Sequence, residues 1–308
     1  MPSAAVRSHL NPDVATWLDL SDRDRILRLH AAQTEWFIAY PKAVEALRRI
    51  DTIIATPPSN RPRNLLIFGE PSIGKTQIIK AALRAHPPTH DGQSRWPILF
   101  IDAPPVPTEA SLYDEILSVL NVPFRHTART GDKKNQVFSV LAELKVRIII
   151  IDELHNMLTH RPARQRDFLT VLKHMGNRLG ISFIAAGTPD AVVALQSDRQ
   201  MSSRFFFLPL PVWRFGREFR QLLAGFELLL PLKQPSLLSE AGLAARLHEL
   251  SEGRLGELAI LLVEATTMAI EEGGEIIDHD LLRRLDWVAP SVRLLEAERQ
   301  LGSPLGVL

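Results

Sequence analysis

Cysteine is missing from the 308 residues. Its absence excludes disulfides, thiolate-held metals, iron–sulfur clusters and a cysteine nucleophile, and it suits a reducing cytoplasm. Neither sign of charge is in excess: 36 Lys and Arg stand against 35 Asp and Glu, a formal net charge of +1. A uniformly basic coat for nucleic acid is therefore excluded, although local basic patches are not. No apolar run reaches the ~18 residues of a membrane-spanning helix. Residues 1–20 lack a basic segment followed by an apolar core, so no signal peptide is expected. Internal repeats and low-complexity tracts are also lacking. What remains is ordinary globular composition, 45% hydrophobic and 23% charged, in a chain long enough for one large or two moderate domains.

Residues 1–60 read as a helical N-terminal extension. Ile26, Leu27 and Leu29 punctuate a charged stretch. After Pro41, Val44, Leu47, Ile50 and Ile54 recur at spacings of three and four, the face of a helix. Thr56–Pro62 (TPPSNRP) breaks the period and marks a boundary. Residues 61–215 alternate helical stretches with the short apolar runs Asn64–Phe68, Ile98–Ile101, Ile148–Ile151 and Ile181–Ala186. Strands apolar on both faces belong inside a parallel sheet covered by helices, so this part is expected to be a three-layer α/β domain. Residues 216–288 read as helices separated by Pro and Gly, a small all-α domain. Residues 289–308 read as a tail, loose from Leu301 onward.

Gly69-Glu70-Pro71-Ser72-Ile73-Gly74-Lys75-Thr76 is a GxxxxGKT loop between a strand and a helix, the Walker A pattern. Its glycines let backbone N–H groups wrap phosphates, Lys75 reaches the β- and γ-phosphates, and Thr76 supplies a ligand to Mg²⁺. The run Ile148–Ile151 followed by Asp152 and Glu153 is a Walker B pattern. Asp152 would help hold Mg²⁺, and Glu153 would orient and polarise an attacking water. Thr188, just after the fourth apolar run, sits where a polar residue would sense the γ-phosphate, or it is part of an ordinary Gly-Thr-Pro turn. Arg204, and after it Arg199, are candidates for an arginine finger reaching a neighbour's nucleotide. Arg125, Arg129, Lys133 and Lys134 form a basic loop that either grips DNA phosphates or is merely solvated. Arg161–Arg166 is read the same way. The histidines show no metal spacing; His155 and His160 stand five apart without partners.

The succession of Walker A, Walker B, sensor-like residue, late arginine and helical C-terminal domain resembles the AAA+ ATPases. Trp36–Pro41 (WFIAYP), NLLIFGEPSIGKT, IIDELH at 150–155, AAGTPDA, Asp198–Phe205 (DRQMSSRF) and Leu210–Trp213 (LPVW) together resemble the TniB family, the ATP-binding transposition proteins related to TnsC. The resemblance spans roughly residues 20–270. It implies an AAA+ P-loop domain with an α-helical lid, and an ATP- and Mg²⁺-dependent regulator of DNA transposition. It also implies a bacterial, cytoplasmic protein that binds duplex DNA, assembles as a ring or filament of copies, and recruits a DDE-type transposase, with a TniQ-type target-selection protein as a further partner. Residues 69–76 with Gln77 would bind nucleotide, Thr76 and Asp152 the metal, and Lys75, Asp152, Glu153, Thr188 and Arg204 would serve catalysis. One departure stands out. Where many relatives read G-x-x-R in the lid, Gly253-Arg254-Leu255-Gly256 puts a glycine at the arginine's place. Slow hydrolysis, fitting a switch more than a motor, is the expectation. Another AAA+ class such as a helicase or clamp loader, a small-molecule kinase and a non-hydrolysing nucleotide-bound module are the competing readings.

Overall fold

Five short runs rich in Ile, Leu and Phe form one parallel sheet in the computed structural model, which describes residues 9–90, 94–104, 106, 108–154, 162–196 and 198–301. The strands are β1 (Asn64–Phe68), β2 (Ile98–Asp102), β3 (Ile148–Asp152), β4 (Ser182–Gly187) and β5 (Phe205–Pro209), in the order β2-β3-β4-β1-β5. Every adjacent pair is parallel, so each connection must cross over, and helices supply the crossovers. The three central strands are apolar on both faces because both faces are covered. Ile149 and Ile151, for example, are fully buried in a core that includes Leu112, Ile116, Phe168 and Leu172 from the flanking helices. The sequence reading anticipated four strands and missed β5. That strand, FFFLP, is as apolar in sequence as the others; it lies at the sheet's edge, with Phe206 exposed between buried Phe205 and Leu208, and its run continues into LPVW with no turn signal to bound it.

Cα packing divides the chain into two units. One holds residues 41–71 and 75–211 with the whole sheet; the other holds 1–40, 72–74 and 212–308, among the residues described. The expected 1–60 extension is thus divided. The helix Pro41–Ala55 goes with the sheet, whereas the helix Asp22–Gln33 goes with the C-terminal helices. The second assignment has a clear cause. Leu29 and Trp36 enter the apolar core formed by Phe219, Leu222, Leu247 and Leu261. Beside them Arg25, only 1% exposed, donates to both carboxylate oxygens of Glu275 at 2.6 and 3.0 Å. Burial alone would raise the Glu275 pKa; hydrogen bonds from Arg25 and Lys233 outweigh it and hold the carboxyl below its usual range. No helix among the described residues is long and apolar enough to cross a membrane.

Strand order decides where the chemistry lies. Because β4 sits between β3 and β1, the segments leaving the C-terminal ends of these three strands emerge side by side. They are the Gly69–Thr76 loop, the Asp152-Glu153 pair and Thr188.

Candidate functional site

The loop after β1 bends through two residues in the left-handed region, Ser72 at φ +59° and Gly74 at φ +98°. Glycine tolerates this conformation freely; a serine there is strained and must be held by its surroundings. Lys75 opens the following helix, Lys75–Ala85. Its side chain is buried, and its ammonium donates to the carbonyls of Gly69 at 2.8 Å and Glu70 at 2.9 Å. The cation is therefore folded back over its own loop. Burial lowers the Lys75 pKa, and the charges of Glu153, Asp152 and Glu70 oppose that shift only partly. Thr76 and Gln77 complete the first turn, whose N–H groups lack intrahelical acceptors, as in every helix.

Across the sheet edge, Asp152 ends β3 and is buried. Thr76 Oγ1 donates to its Oδ2 at 3.2 Å, and its Oδ1 accepts from the Glu153 N–H at 2.8 Å. That second bond holds Glu153 in a left-handed conformation, φ +54°, with its carboxylate exposed beside the loop. A hydroxyl and a carboxylate so close are the hard oxygen donors that Mg²⁺ takes, together with phosphate oxygens and water. Among the described residues no cluster of three or more acidic or histidine side chains could hold a metal alone. The donor set thus fits an ion that arrives with its nucleotide. More acids share this edge. Asp102 lies opposite Asp152 in register, and burial, reinforced by Asp102, raises the Glu115 pKa.

Thr188 follows β4 directly. Gly187, the residue before it, pairs with Phe68, and its carbonyl accepts from the Gly69 N–H at 3.2 Å. The threonine therefore stands between the two Walker segments, its hydroxyl directed to Asp190 Oδ2 at 3.4 Å.

The structure places Arg204 elsewhere. It immediately precedes β5, and Phe205 pairs with Asn64, the first residue of β1. Lys75 lies beyond the other end of β1, so a full strand length, about 13 Å or more, separates the two positions. Arg204 Nη1 donates to Asn177 Oδ1 at 2.5 Å. Arg199 is exposed in the short helix Arg199–Ser202.

The basic stretch departs from expectation. Only its first part is a loop; a helix runs over Thr130–Glu143 with Arg129 as its N-cap. Lys133, 3% exposed, is ion-paired to Asp114 at 2.7 Å and donates to the His126 carbonyl at 2.7 Å. Its charge is spent inside the protein. Arg125 and Arg129 are exposed, and Lys134 is half-buried with its ammonium 5.8 Å from the Phe138 ring centre. His155, His160, Arg161, the Arg164 side chain and the tail at 302–308 lie outside the described residues.

Sequence reasoning gave no role to residues that the helical unit gathers around Ser72–Gly74. Gly256 N–H donates to the Ser72 carbonyl at 2.7 Å. A Cβ at Gly256 would stand 2.9 Å from Ser72 Cβ and 3.1 Å from its carbonyl oxygen. No side chain fits there, which explains the glycine at the place of the expected lid arginine. Tyr40 and Trp213 meet edge to face with ring centres 5.1 Å apart, and the Tyr40 hydroxyl lies 3.8 Å from where a Gly74 Cβ would be. Burial pushes the Tyr40 hydroxyl up to about 12, so it is neutral. Both residues belong to segments that carried the family resemblance (AYP and LPVW), which was the available signal.

Residues 28–215 match the family of bacterial TniB proteins. No curated protein matches the sequence. Solved structures of similar fold include an Aeropyrum pernix ORC2 protein in ADPNP–ADP complexes, 19% identical, with a TM-score of 0.60 over 81% of this chain and 68% of that one. CDC6P from Pyrobaculum aerophilum is 14% identical, with a TM-score of 0.56 over 86% and 76%. The Aeropyrum pernix ORC1 protein in complex with DNA is 18% identical, with a TM-score of 0.50 over 93% and 70%. At these identities the likeness concerns fold, and the fold is the AAA+ P-loop architecture with helical segments at both ends.

Proposed function

The chain belongs to the TniB family, and on that premise we propose that it is an ATP-hydrolysing switch of bacterial DNA transposition. The observation that carries the ATPase reading is the Thr76–Asp152 hydrogen bond at the mouth of the Walker A loop, with Glu153 beside it. Lys75 would leave the carbonyls of its own loop for the β- and γ-phosphates. Thr76 and Asp152 would hold Mg²⁺, which neutralises phosphate charge when bound. Glu153 would take a proton from water as the water oxygen bonds to the γ-phosphorus. The bond from that phosphorus to the β-phosphate oxygen breaks, giving ADP and phosphate. Thr188 would steady the γ-phosphate or the water. The lid position at Gly256 carries no cation, so turnover should be slow.

A subunit in which Arg204 and Lys75 occupy opposite edges of the sheet cannot bring that arginine to its own phosphates, so Arg204 would act on a second copy. Arg204→Ala should then leave ATP affinity of the isolated subunit intact while lowering phosphate release. Mixing it with Lys75→Ala subunits should restore part of the activity at mixed interfaces. Failure of every mixture to complement would move the finger to Arg199 or remove it.

DNA, a DDE-type transposase and a TniQ-type selector would be the partners, with nucleotide controlling assembly. With a net charge of +1, duplex binding must come from patches such as Arg125, Arg129 and Lys134 repeated along an array. Affinity should depend little on sequence. It should fall steeply with salt, each phosphate neutralised adding about −0.9 to the log–log slope. Titration of several unrelated duplexes with ATP analogue or ADP across a salt series tests this. Tight binding to one sequence regardless of nucleotide would overturn it.

A further inference from the structure

Three clefts with lining residues in common lie at the N-terminal edge of the sheet, the edge opposite the Walker loop. Arg61, Arg63 and Arg204 line the first, of about 520 Å³. Arg61, Arg63 and Arg147 line the second, of about 320 Å³. Arg48, Arg49 and Arg63 line the third, of about 270 Å³. Arg63 is common to all three, and no Asp or Glu lines any of them. In a chain of net charge +1, six arginines of which, among the described residues, Arg49 alone is paired to a carboxylate, that of Glu45, leave a local excess of positive charge, and concave walls focus it.

The groove is built to hold its shape. Arg49 is gripped by Glu45 at 2.9 and 3.2 Å and lies 3.3 Å over the centre of the Phe206 ring. Arg147 donates to the carbonyls of Thr56 and Ile53, and Arg204 to Asn177. Arg61 and Arg63 flank Pro62, which is buried, its ring packed 3.2 Å from where a Gly176 Cβ would stand. Arg63 itself is exposed and makes no hydrogen bond or ion pair among the described residues.

The same unit carries the opposite charge at its other edge, where Asp102 and Asp152 end β2 and β3 side by side, Glu153 follows, and Glu70 and Asp152 lie near Lys75 with it. A body basic at one end and acidic at the other favours head-to-tail contact between copies, an arrangement that generates rings or filaments.

We propose that Arg63, with Arg61, engages the nucleotide phosphates held by a second copy of this chain, next to Arg204. This rests on the reading of Arg204 as acting in trans and extends it. The groove contributes a set of planar donor forks, of which Arg204 is one, and the nucleotide site is incomplete until a neighbour supplies them. An arginine so placed acts on the charge of the transferring phosphoryl group and does not alter nucleotide affinity of a lone subunit.

The test uses Arg63→Ala and Arg63→Lys in the full chain. Each is assayed for ATP binding at subunit concentrations too low to associate, and for phosphate release at concentrations that associate. The expected result for Arg63→Ala is unchanged ATP affinity, phosphate release lowered by about tenfold or more, and partial recovery on mixing with Lys75→Ala subunits. Arg63→Lys, which keeps charge but loses the fork, should fall between. It decides the matter if the alanine variant fails to fold. Wild-type phosphate release in the Arg63 variants, with Arg204→Ala still complemented in trans, overturns this inference and leaves the ATPase reading standing. Absence of complementation for Arg204→Ala as well removes the reading beneath it. Loss of duplex affinity without nucleotide, at unchanged phosphate release, overturns the inference too and gives the groove to DNA.

Discussion

Alanine at position 75 is expected to weaken ATP binding by about 10- to 100-fold, the loss of a charged hydrogen-bonding partner worth about 1.5–3 kcal/mol. Two features of the site make this the larger of the binding effects. The Lys75 ammonium is the cation packed against the loop, and it is already desolvated, so little further dehydration is needed when phosphates replace the Gly69 and Glu70 carbonyls. A pH dependence follows with a definite sign. Burial holds the Lys75 pKa below that of an ordinary lysine. Its charge is therefore lost sooner as pH rises, and wild-type affinity should decline through that lowered pKa while the alanine variant shows no such step. Equilibrium titration with ATP across neutral and alkaline pH measures both. Unchanged affinity in Lys75→Ala would remove the loop from ATP binding.

Glutamine at position 153 should separate binding from turnover. Phosphate release is expected to drop by about 10²- to 10⁴-fold, the range for loss of a positioned general base, with ATP affinity retained. The backbone bond from Glu153 to Asp152 Oδ1 does not involve the altered carboxylate, so the left-handed turn and the Asp152–Thr76 pair should survive the change. Nucleotide-bound assemblies on DNA should then last longer. Single-turnover phosphate release is the direct measurement, and a wild-type rate would place the base elsewhere.

The parts of this molecule that were legible in the sequence are those fixed by contiguous residues. The strands β1, β2, β3 and β4 announce themselves because a strand covered on both faces must be apolar throughout, and the Walker loop because its chemistry needs eight consecutive positions. What escaped depends on partners far along the chain. Lys133 looks like a surface cation until Asp114, nineteen residues away, is found beneath it. The helix Thr130–Glu143 was hidden by its polar, glycine-containing first turn, although Val137, Phe138 and Leu141 already had helical spacing. Tyr40 and Trp213 were noticed as words of a family signature; only the fold shows that their rings touch. Gly256 looked like a missing arginine, and its cause is the Ser72 backbone pressed against it.

The ion pair between Arg25 and Glu275 spans 250 residues, and this separation governs the order of events during translation. At about 5–20 residues per second, a ribosome needs roughly 10–50 s to deliver the carboxylate after the guanidinium has emerged. In that interval residues 41–211 appear in full, so the sheet unit can close around its own core. The helix Asp22–Gln33 meanwhile carries an arginine destined for burial that has the exposed Asp22 of its own helix to meet but not yet Glu275. Burying it without Glu275 would be costly, which keeps this first-made helix from docking early. The nascent chain is thereby compelled to complete its middle before joining its ends.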